Sequence, residues 1–416
     1  MSWQQVSLRR IFRIVNGGTP TNDEDYWNGD VPWATPVDIG SVNGSYLAST
    51  QRNLSDEGVR TGSRTVPSGS LVLSTRAPIG YVAQATRTMA FNQGCRGLVP
   101  VVAIDPRYFR YQLITLREEL SSRGAGSTFT ELSTDALATA PVLRPPLDEQ
   151  RRIADFLDVE TGRIDALTEA RSRALSLLDE RASAVIRRAL QGGNSDSRDV
   201  SASAVPWLAR HPEHWKAAPL RYLSRIQRGA SPRPIEDPIY FDDEGSHGWV
   251  RISDVTSSQK YLESTEQRLS PLGRQLSVPL EPGELFLSIA ATVGKPIIAG
   301  IPCCIHDGFV AIRRPHLNTE FLYYALLLGD AFRGLGKLGT QLNLNSDTVG
   351  SIIMPVPPAA EQQMLIAEIE GSLGQISSQR DLINRQLALL FERRQALITA
   401  AVTGQLDVTT TRGAST

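Results

Sequence analysis

The side chains of this sequence best suited to chemistry are polar and basic residues gathered in loop-like segments. One group comprises Thr19 and Asn22, Arg76, Asn92 with Gln93, and Arg123 with Ser127 and Thr128. A second comprises Arg228, Ser231 and Arg233, Lys295, His306 with Asp307, and Lys337 with Thr340, Gln341 and Asn343. Arginine and lysine match guanine edges and phosphates, asparagine and glutamine match adenine edges, and serine or threonine can meet either phosphate or base. The inventory is compatible with DNA readout, and solvated loops carry the same residue types.

Patterns that would support catalysis fail on their surroundings. Gly334 to Gly339 has GxGxxG spacing, yet it follows an apolar helix-like stretch, Phe321 to Leu328, instead of a strand, so it reads as a loop. Gly294-Lys295-Pro296 ends like a phosphate loop, but Ile289 stands where the first glycine belongs and Pro296 replaces the magnesium-holding hydroxyl. His211 and His214 have Pro212 between them, which disfavours one helical face, and no further ligand nearby. No GxSxG elbow, no Asn/Asp-Pro-Pro-aromatic motif and no cysteine with a histidine partner stands out. The expectation is a chain with no catalytic residues, no metal site and no cofactor of its own.

Composition narrows the class further. With 416 residues, 41% hydrophobic and 21% charged, the chain is globular and long enough for two or three domains. Its 43 basic and 44 acidic residues leave a net charge of -1, so any nucleic-acid binding must come from local patches. Cys95, Cys303 and Cys304 form neither a disulfide framework nor a zinc-ligand spacing, which suggests a reduced, cytoplasmic protein. Met1 to Arg13 is charged and lacks an apolar stretch, and no run approaches the roughly 20 apolar residues of a membrane helix. Neither secretion nor a membrane span is expected.

What must position these loops is a duplicated frame. Trp3 recurs as Trp215, Leu8-Arg9 as Leu220-Arg221, Gly17 as Gly229 and Pro20 as Pro232, each 212 residues on. Trp33 with Asp38 answers Trp249 with Asp254, and Gly69 and Gly80 answer Gly283 and Gly294. Pro145-Pro146 with Glu149-Gln150 returns as Pro357-Pro358 with Glu361-Gln362. So long a period marks a duplicated domain-plus-helix unit and not a solenoid. The matched tryptophans read as core and the matched glycines as turn formers. The loop residues between them differ, so two modules with one frame would read unlike targets.

In each copy short β-like runs, such as Ser70 to Ser74 and Glu284 to Ile289, lie among Gly, Pro, Asn and Asp turns, which suggests an α+β domain. After each double proline the pattern turns helical. Leu157, Ile164, Leu175, Leu178, Ala182 and Val185 form a heptad-like stripe in the first copy. Ile369, Leu373, Ile376, Ile383, Leu387, Leu390 and Leu397 form the second. Two helices of about 44 residues span about 65 Å each, so pairing as an antiparallel coiled-coil spacer is expected, with an ordinary helical bundle as the alternative. The polar stretch Gln191 to Ala204 reads as a linker. The resulting boundaries are an α+β domain at 1–146, a helix at 147–192, a linker at 193–212, a second α+β domain at 213–358, a second helix at 359–405 and a tail at 406–416.

These residues resemble the specificity subunits of type I restriction-modification systems. The likeness rests on GGTP at Gly17 to Pro20, STRAPIGYV at Ser74 to Val82, FNQG at Phe91 to Gly94, RPPLDEQRRIADFLD at Arg144 to Asp158, and VPWLARHPEHW at Val205 to Trp215. The second copy departs from it at His306-Asp307 and Ala230-Ser231. The resemblance implies two pseudo-symmetric target-recognition domains that bind double-stranded DNA, separated by two long helices. It implies two adenine N6 methyltransferase subunits and ATP-driven restriction subunits as partners, which would hold the S-adenosylmethionine, ATP and Mg. Two rivals are a coiled-coil protein scaffold and a self-contained methyltransferase.

Overall fold

The computed structural model describes residues 3–124, 131–193, 200–202, 204–335 and 344–408. The chain divides into two compact units, Met1–Ser172 with Ile383–Thr416, and Arg173–Leu382. Each of the two long helices, Leu147–Leu190 and Ala359–Val402, therefore contributes to both units.

Each unit contains the same three sheets. In unit 1 a five-stranded sheet runs, in spatial order, Phe12–Asn16, Cys95–Pro100, Leu71–Ser74, Val82–Ala85 and Tyr46–Leu47. In unit 2 the same order is kept by Arg225–Arg228, Phe309–Arg313, Leu285–Ser288, Pro296–Ala299 and Tyr261–Leu262. A four-stranded sheet runs Asn53–Leu54, Trp27–Ala34, Met89–Phe91 and Thr65–Val66 in one, and Gln267–Leu269, His247–Val250, Cys303–Ile305 and Val278–Leu280 in the other. A two-stranded ribbon closes each module: Gln4–Ser7 with Pro141–Arg144, and Lys216–Pro219 with Ile353–Val356. The duplication seen in the residues is thus a duplication of strand order, and the α+β class holds in both copies.

The matched residues have identifiable jobs. Asp38 sits in the first turn of the helix Pro36–Ser41 and accepts the Thr35 backbone N–H at 2.9 Å; Asp254 accepts the Arg251 N–H at 2.8 Å in the same position of Ile252–Ser257. Both carboxylates close a helix N-terminus, where orphan donors and the helix dipole favour an anion. The glutamine after the double proline is buried in both copies. Gln150 accepts the Asp105 N–H at 2.9 Å and donates to the Pro145 carbonyl at 2.8 Å. Gln362 accepts the Asn318 N–H at 2.7 Å and donates to the Pro357 carbonyl at 2.8 Å. Asp105 and Asn318 each cap the helix that follows, so one amide ties the start of a long helix to the start of a core helix.

Each unit also pairs segments of the two long helices antiparallel. In unit 1, Ile153, Ala154 and Leu157 from the start of the first helix share a core with Ile398, Ala401 and Val402 from the end of the second, and Arg394 donates to Asp165 at 3.1 Å. In unit 2, Ile186, Ala189 and Leu190 share a core with Leu365, Ile366 and Ile369, and Arg380 pairs with Asp179. Of the heptad stripe, Leu157, Ile164, Ile369 and Ile376 are buried. Leu175, Leu178, Val185, Leu373, Ile383, Leu387, Leu390 and Leu397 are half-buried, because a two-helix seam shields each side chain from one side only. At the helix ends the seam rotates by one residue: Ile186 and Ile398, not Val185 and Leu397, are fully buried, since there the helix faces a module core.

Candidate nucleic-acid interface

The strand Phe12–Asn16 runs into Gly17-Gly18-Thr19-Pro20, and the strand Met89–Phe91 runs into the turn Asn92-Gln93-Gly94. Tertiary contacts bring these two segments together. Gly18 N–H donates to the Phe91 carbonyl at 3.0 Å, and the Trp33 indole donates to the Gly18 carbonyl at 3.0 Å. A β-carbon on Gly17 would lie 1.9 Å from the Asn92 carbonyl oxygen, so only glycine permits this approach. The Thr19 hydroxyl then donates to the Gln93 side-chain oxygen. Asn92 is turned inward, where its amide oxygen accepts the Gly94 N–H at 3.0 Å and shapes the turn. Gln93 is the exposed tip.

Unit 2 builds the same arrangement from other side chains. Ala230 N–H donates to the Ile305 carbonyl at 3.2 Å, and a β-carbon on Gly229 would lie 2.1 Å from the His306 carbonyl oxygen. His306 takes the part of Asn92: its Nδ1 accepts the Gly308 N–H at 2.9 Å, and its ring packs against Trp249 and Phe309 with centroids 5.8 and 4.6 Å away. Burial against these rings lowers the His306 pKa below its ordinary 6.5. Ser231 takes the part of Thr19, donating to Asp307 at 2.9 Å, and Arg233 donates to the other oxygen of Asp307 at 3.0 Å. The Ser231 hydroxyl and then the Arg233 guanidinium hold the Asp307 carboxyl below the usual carboxylate range. The departures at His306-Asp307 and Ala230-Ser231 therefore leave the frame intact and change the tip from a neutral amide to an anion carrying an exposed arginine.

An arginine braces this turn in each unit; sequence reasoning missed Arg96 and named Arg228 only as a reader. In unit 1 Arg96, from the strand Cys95–Pro100, donates to the Gln93 carbonyl at 2.8 Å. In unit 2 Arg228, from the strand Arg225–Arg228, donates to the Asp307 carbonyl at 3.0 Å. The ladders pair Arg96 with Asn16 and Arg228 with Val310, so the arginine has moved to the neighbouring strand while its target carbonyl stayed the same.

The other proposed readers are placed less centrally. Asn22 is exposed on the segment after Pro20. Arg76 is exposed and donates to Glu131 at 3.1 Å. Arg123 pairs with Glu119 on its own helix at 2.7 Å. Lys295 spends its ammonium on the Thr256 and Ser258 carbonyls, at 3.1 and 2.7 Å, at the end of the helix Ile252–Ser257, and burial lowers its pKa. It is a helix-terminus ligand instead of a free cation. Ser127, Thr128, Lys337, Thr340, Gln341 and Asn343 lie outside the described residues.

The decoys resolve in the same way. His211 meets the Pro212 carbonyl and the Ala204 N–H, and His214 meets Glu361. Burial pushes the Cys303 and Cys304 thiols up to about 12, well above the range in which a thiolate nucleophile forms at neutral pH. Among the described residues no group of three potential metal ligands occurs, and no helix is long and apolar enough to cross a membrane.

Comparison with known proteins settles the family. The family described as type I restriction modification DNA specificity domain matches residues 1–176 and again 212–388, once for each copy of the frame. The chain belongs to this family. Among specificity-domain relatives, the type I restriction enzyme MjaIX specificity subunit of Methanocaldococcus jannaschii is 33% identical over 43% of this chain and 41% of its own length. The EcoKI specificity subunit of Escherichia coli is 22% identical over 70% of this chain and 63% of its own. These matches thus span from about two fifths to under two thirds of the curated relatives. A chain from a structure described as the basis of complex assembly and conformational transition of the type I R-M system aligns over 97% of this chain and 98% of itself, with a TM-score of 0.75 at 18% identity. The crystal structure of the HsdS subunit from Thermoanaerobacter tengcongensis aligns over 97% of each chain, with a TM-score of 0.53 at 19% identity. At these identities the two structures establish the shared specificity-domain fold.

Proposed function

We propose that this chain is the DNA-recognition subunit of a type I restriction-modification complex, with each module reading one half of an asymmetric bipartite site. The observation that carries this reading is the pair of turns: one glycine-braced frame presents Gln93 in the first copy and Asp307 with Arg233 in the second. A glutamine amide suits an adenine edge, and a carboxylate-steadied arginine suits guanine. Two unlike tips on one frame fit two unlike half-sites.

In this reading the chain performs no bond chemistry. Two adenine N6 methyltransferase subunits bind S-adenosylmethionine and receive the target adenine after it is flipped from the duplex. Restriction subunits supply ATP- and Mg-dependent translocation and cleavage. The long helices act as a ruler for the unread gap, so inserting four residues, about one helical turn, at matched places in Ala170 to Ala184 and the partner stretch changes the spacer length. The deciding experiment is a single-molecule methylome of cells carrying the chain with its methyltransferase. A new N6-methyladenine motif with two unlike halves around a fixed gap is expected; no motif beside an active methyltransferase favours a protein scaffold instead.

A further inference from the structure

Each module carries exposed arginines that its fold does not use. In unit 1 they are Arg9 and Arg13, with Arg10 between them; in unit 2 they are Arg221 and Arg225, each 212 residues on from Arg9 and Arg13. All five are exposed, and among the described residues none has an ion-pair partner. Arg13 and Arg225 lie at the beginning of the strand that leads into Gly17 or Gly229, and Arg9, Arg10 and Arg221 lie on the short helical turn just before it, Leu8–Arg10 or Leu220–Leu223, at the end of the strand away from the turn. In unit 2 they line a cleft of about 590 Å³ together with Arg314 and His316, and Asp347 is its one acidic lining residue. Arg314 holds a left-handed backbone conformation (φ 48°), which is uncommon for a residue with a β-carbon. Beside Arg221, at 5.3 Å, the Tyr222 ring is 70% exposed.

An exposed, unpaired arginine adds little to stability, and replacing one usually leaves a fold unchanged. The duplicated copies have exchanged Thr19 for Ser231, Gln93 for Asp307 and Asn92 for His306, yet they keep arginine at both of these surface positions. What holds them is common to both modules and lies outside the chain. Base edges differ between unlike half-sites, whereas the phosphate backbone is the same at every sequence. The planar guanidinium fork binds a phosphate through two donors at once.

We infer that Arg9 with Arg13 and Arg221 with Arg225 are a duplicated pair of phosphate anchors, through which each module grips the DNA backbone regardless of sequence. The inference rests on the DNA-recognition reading and adds to it contacts that carry affinity without specificity. Because the chain is close to neutral overall, such local anchors are where its attraction for a polyanion must reside.

The test is a salt titration of the full chain on a short random-sequence duplex, read by fluorescence anisotropy, for wild type, R9A/R13A and R221A/R225A. Each lost phosphate contact lowers the slope of log affinity against log salt by roughly 0.9, so each double variant should flatten it by about two. Melting temperatures should not move, and the motif methylated by the assembled enzyme should keep its sequence while being modified less completely. A wild type that binds in a salt-dependent way, with variants of unchanged slope, overturns the anchors and leaves the DNA reading standing. Unchanged slopes with loss of the methyltransferase on gel filtration also overturn them, reassigning the surface to protein docking. If the wild type alone and its methyltransferase assembly both fail to bind DNA, the DNA reading falls and the anchors with it.

Discussion

The turns Asn92–Gly94 and His306–Gly308 have the same backbone and different chemistry. In each, a glycine N–H is accepted by the first side chain of the turn, a hydroxyl from the facing segment reaches the second side chain, and an arginine donates to the carbonyl behind it. The acceptor is an amide in one and an imidazole in the other; the braces come from adjacent strands. What the duplication preserved is a set of donor and acceptor positions, and residue identity was free wherever a second residue could supply the same atom. It was not free where the backbones nearly touch, at Gly17 and Gly229, or where one amide must both accept and donate in the interior, at Gln150 and Gln362.

The comparison is broken most severely at those invariant points. Gly17→Ala and Gly229→Ala each force a β-carbon into a backbone carbonyl, and either should cost about 2–3 kcal/mol and abolish methylation, because a bipartite site needs both readers. Thermal melting and the methylome check this. Normal methylation in either variant would show that the turn is not held by this approach. Gln150→Ala and Gln362→Ala come next. Each strands a buried N–H and a buried carbonyl, so each should cost about 1–3 kcal/mol in chemical denaturation. The two values should agree closely, and a large disparity would mean the copies do not share one frame.

How much of this was legible beforehand follows from the kind of signal involved. The two long helices announce themselves through local periodicity and the double prolines, and their observed bounds, Leu147–Leu190 and Ala359–Val402, lie close to the expected ones. The strand order was not legible, because it depends on parallel pairs such as Trp33 with Ala90 that join residues far apart in sequence. At the site, Thr19, Gln93, Ser231, Asp307 and Arg233 were picked out as readers, and the structure joins Thr19 to Gln93 within unit 1 and Ser231 and Arg233 to Asp307 within unit 2. Asn92 and His306 were picked for the same reason but face inward as turn formers. Lys295 looked like a free cation because nothing local reveals that Thr256 and Ser258 end a helix beside it. Arg96 escaped notice because a repeat comparison sets it against Val310; only the ladder register shows Arg228 doing its work from the next strand.

A finer break acts on the tips. Gln93→Ala should relax discrimination in one half-site by about 1–3 kcal/mol and leave the other half untouched, and Arg233→Ala should do the reverse. Methylome sequencing reads both halves at once, so each variant controls for the other. Asp307→Asn should weaken the second half-site less than Arg233→Ala does, since it only loosens the arginine's position. A variant that degrades both halves equally would mean the modules do not read separately.

The smallest effect sharpens the contrast between amide and imidazole. His306 accepts the Gly308 N–H through Nδ1, which puts its proton on Nε2, and a second proton would destroy that acceptor. Burial against Trp249 and Phe309 also disfavours the imidazolium, and the neighbouring Asp307 opposes this without reversing it. The folded pKa is therefore lower than the unfolded value, so the stabilising contribution is fully present above about pH 6.5 and is lost as pH falls through the folded pKa. Asn92 does the same job and cannot titrate. Amide hydrogen exchange, corrected for intrinsic rates, should thus show protection at Gly308 weakening on acidification while protection at Gly94 holds, and His306→Asn should make the two turns alike. If acid sensitivity at Gly308 survives that substitution, it arises elsewhere in the module, and the imidazole is only a steric substitute for the amide it replaced.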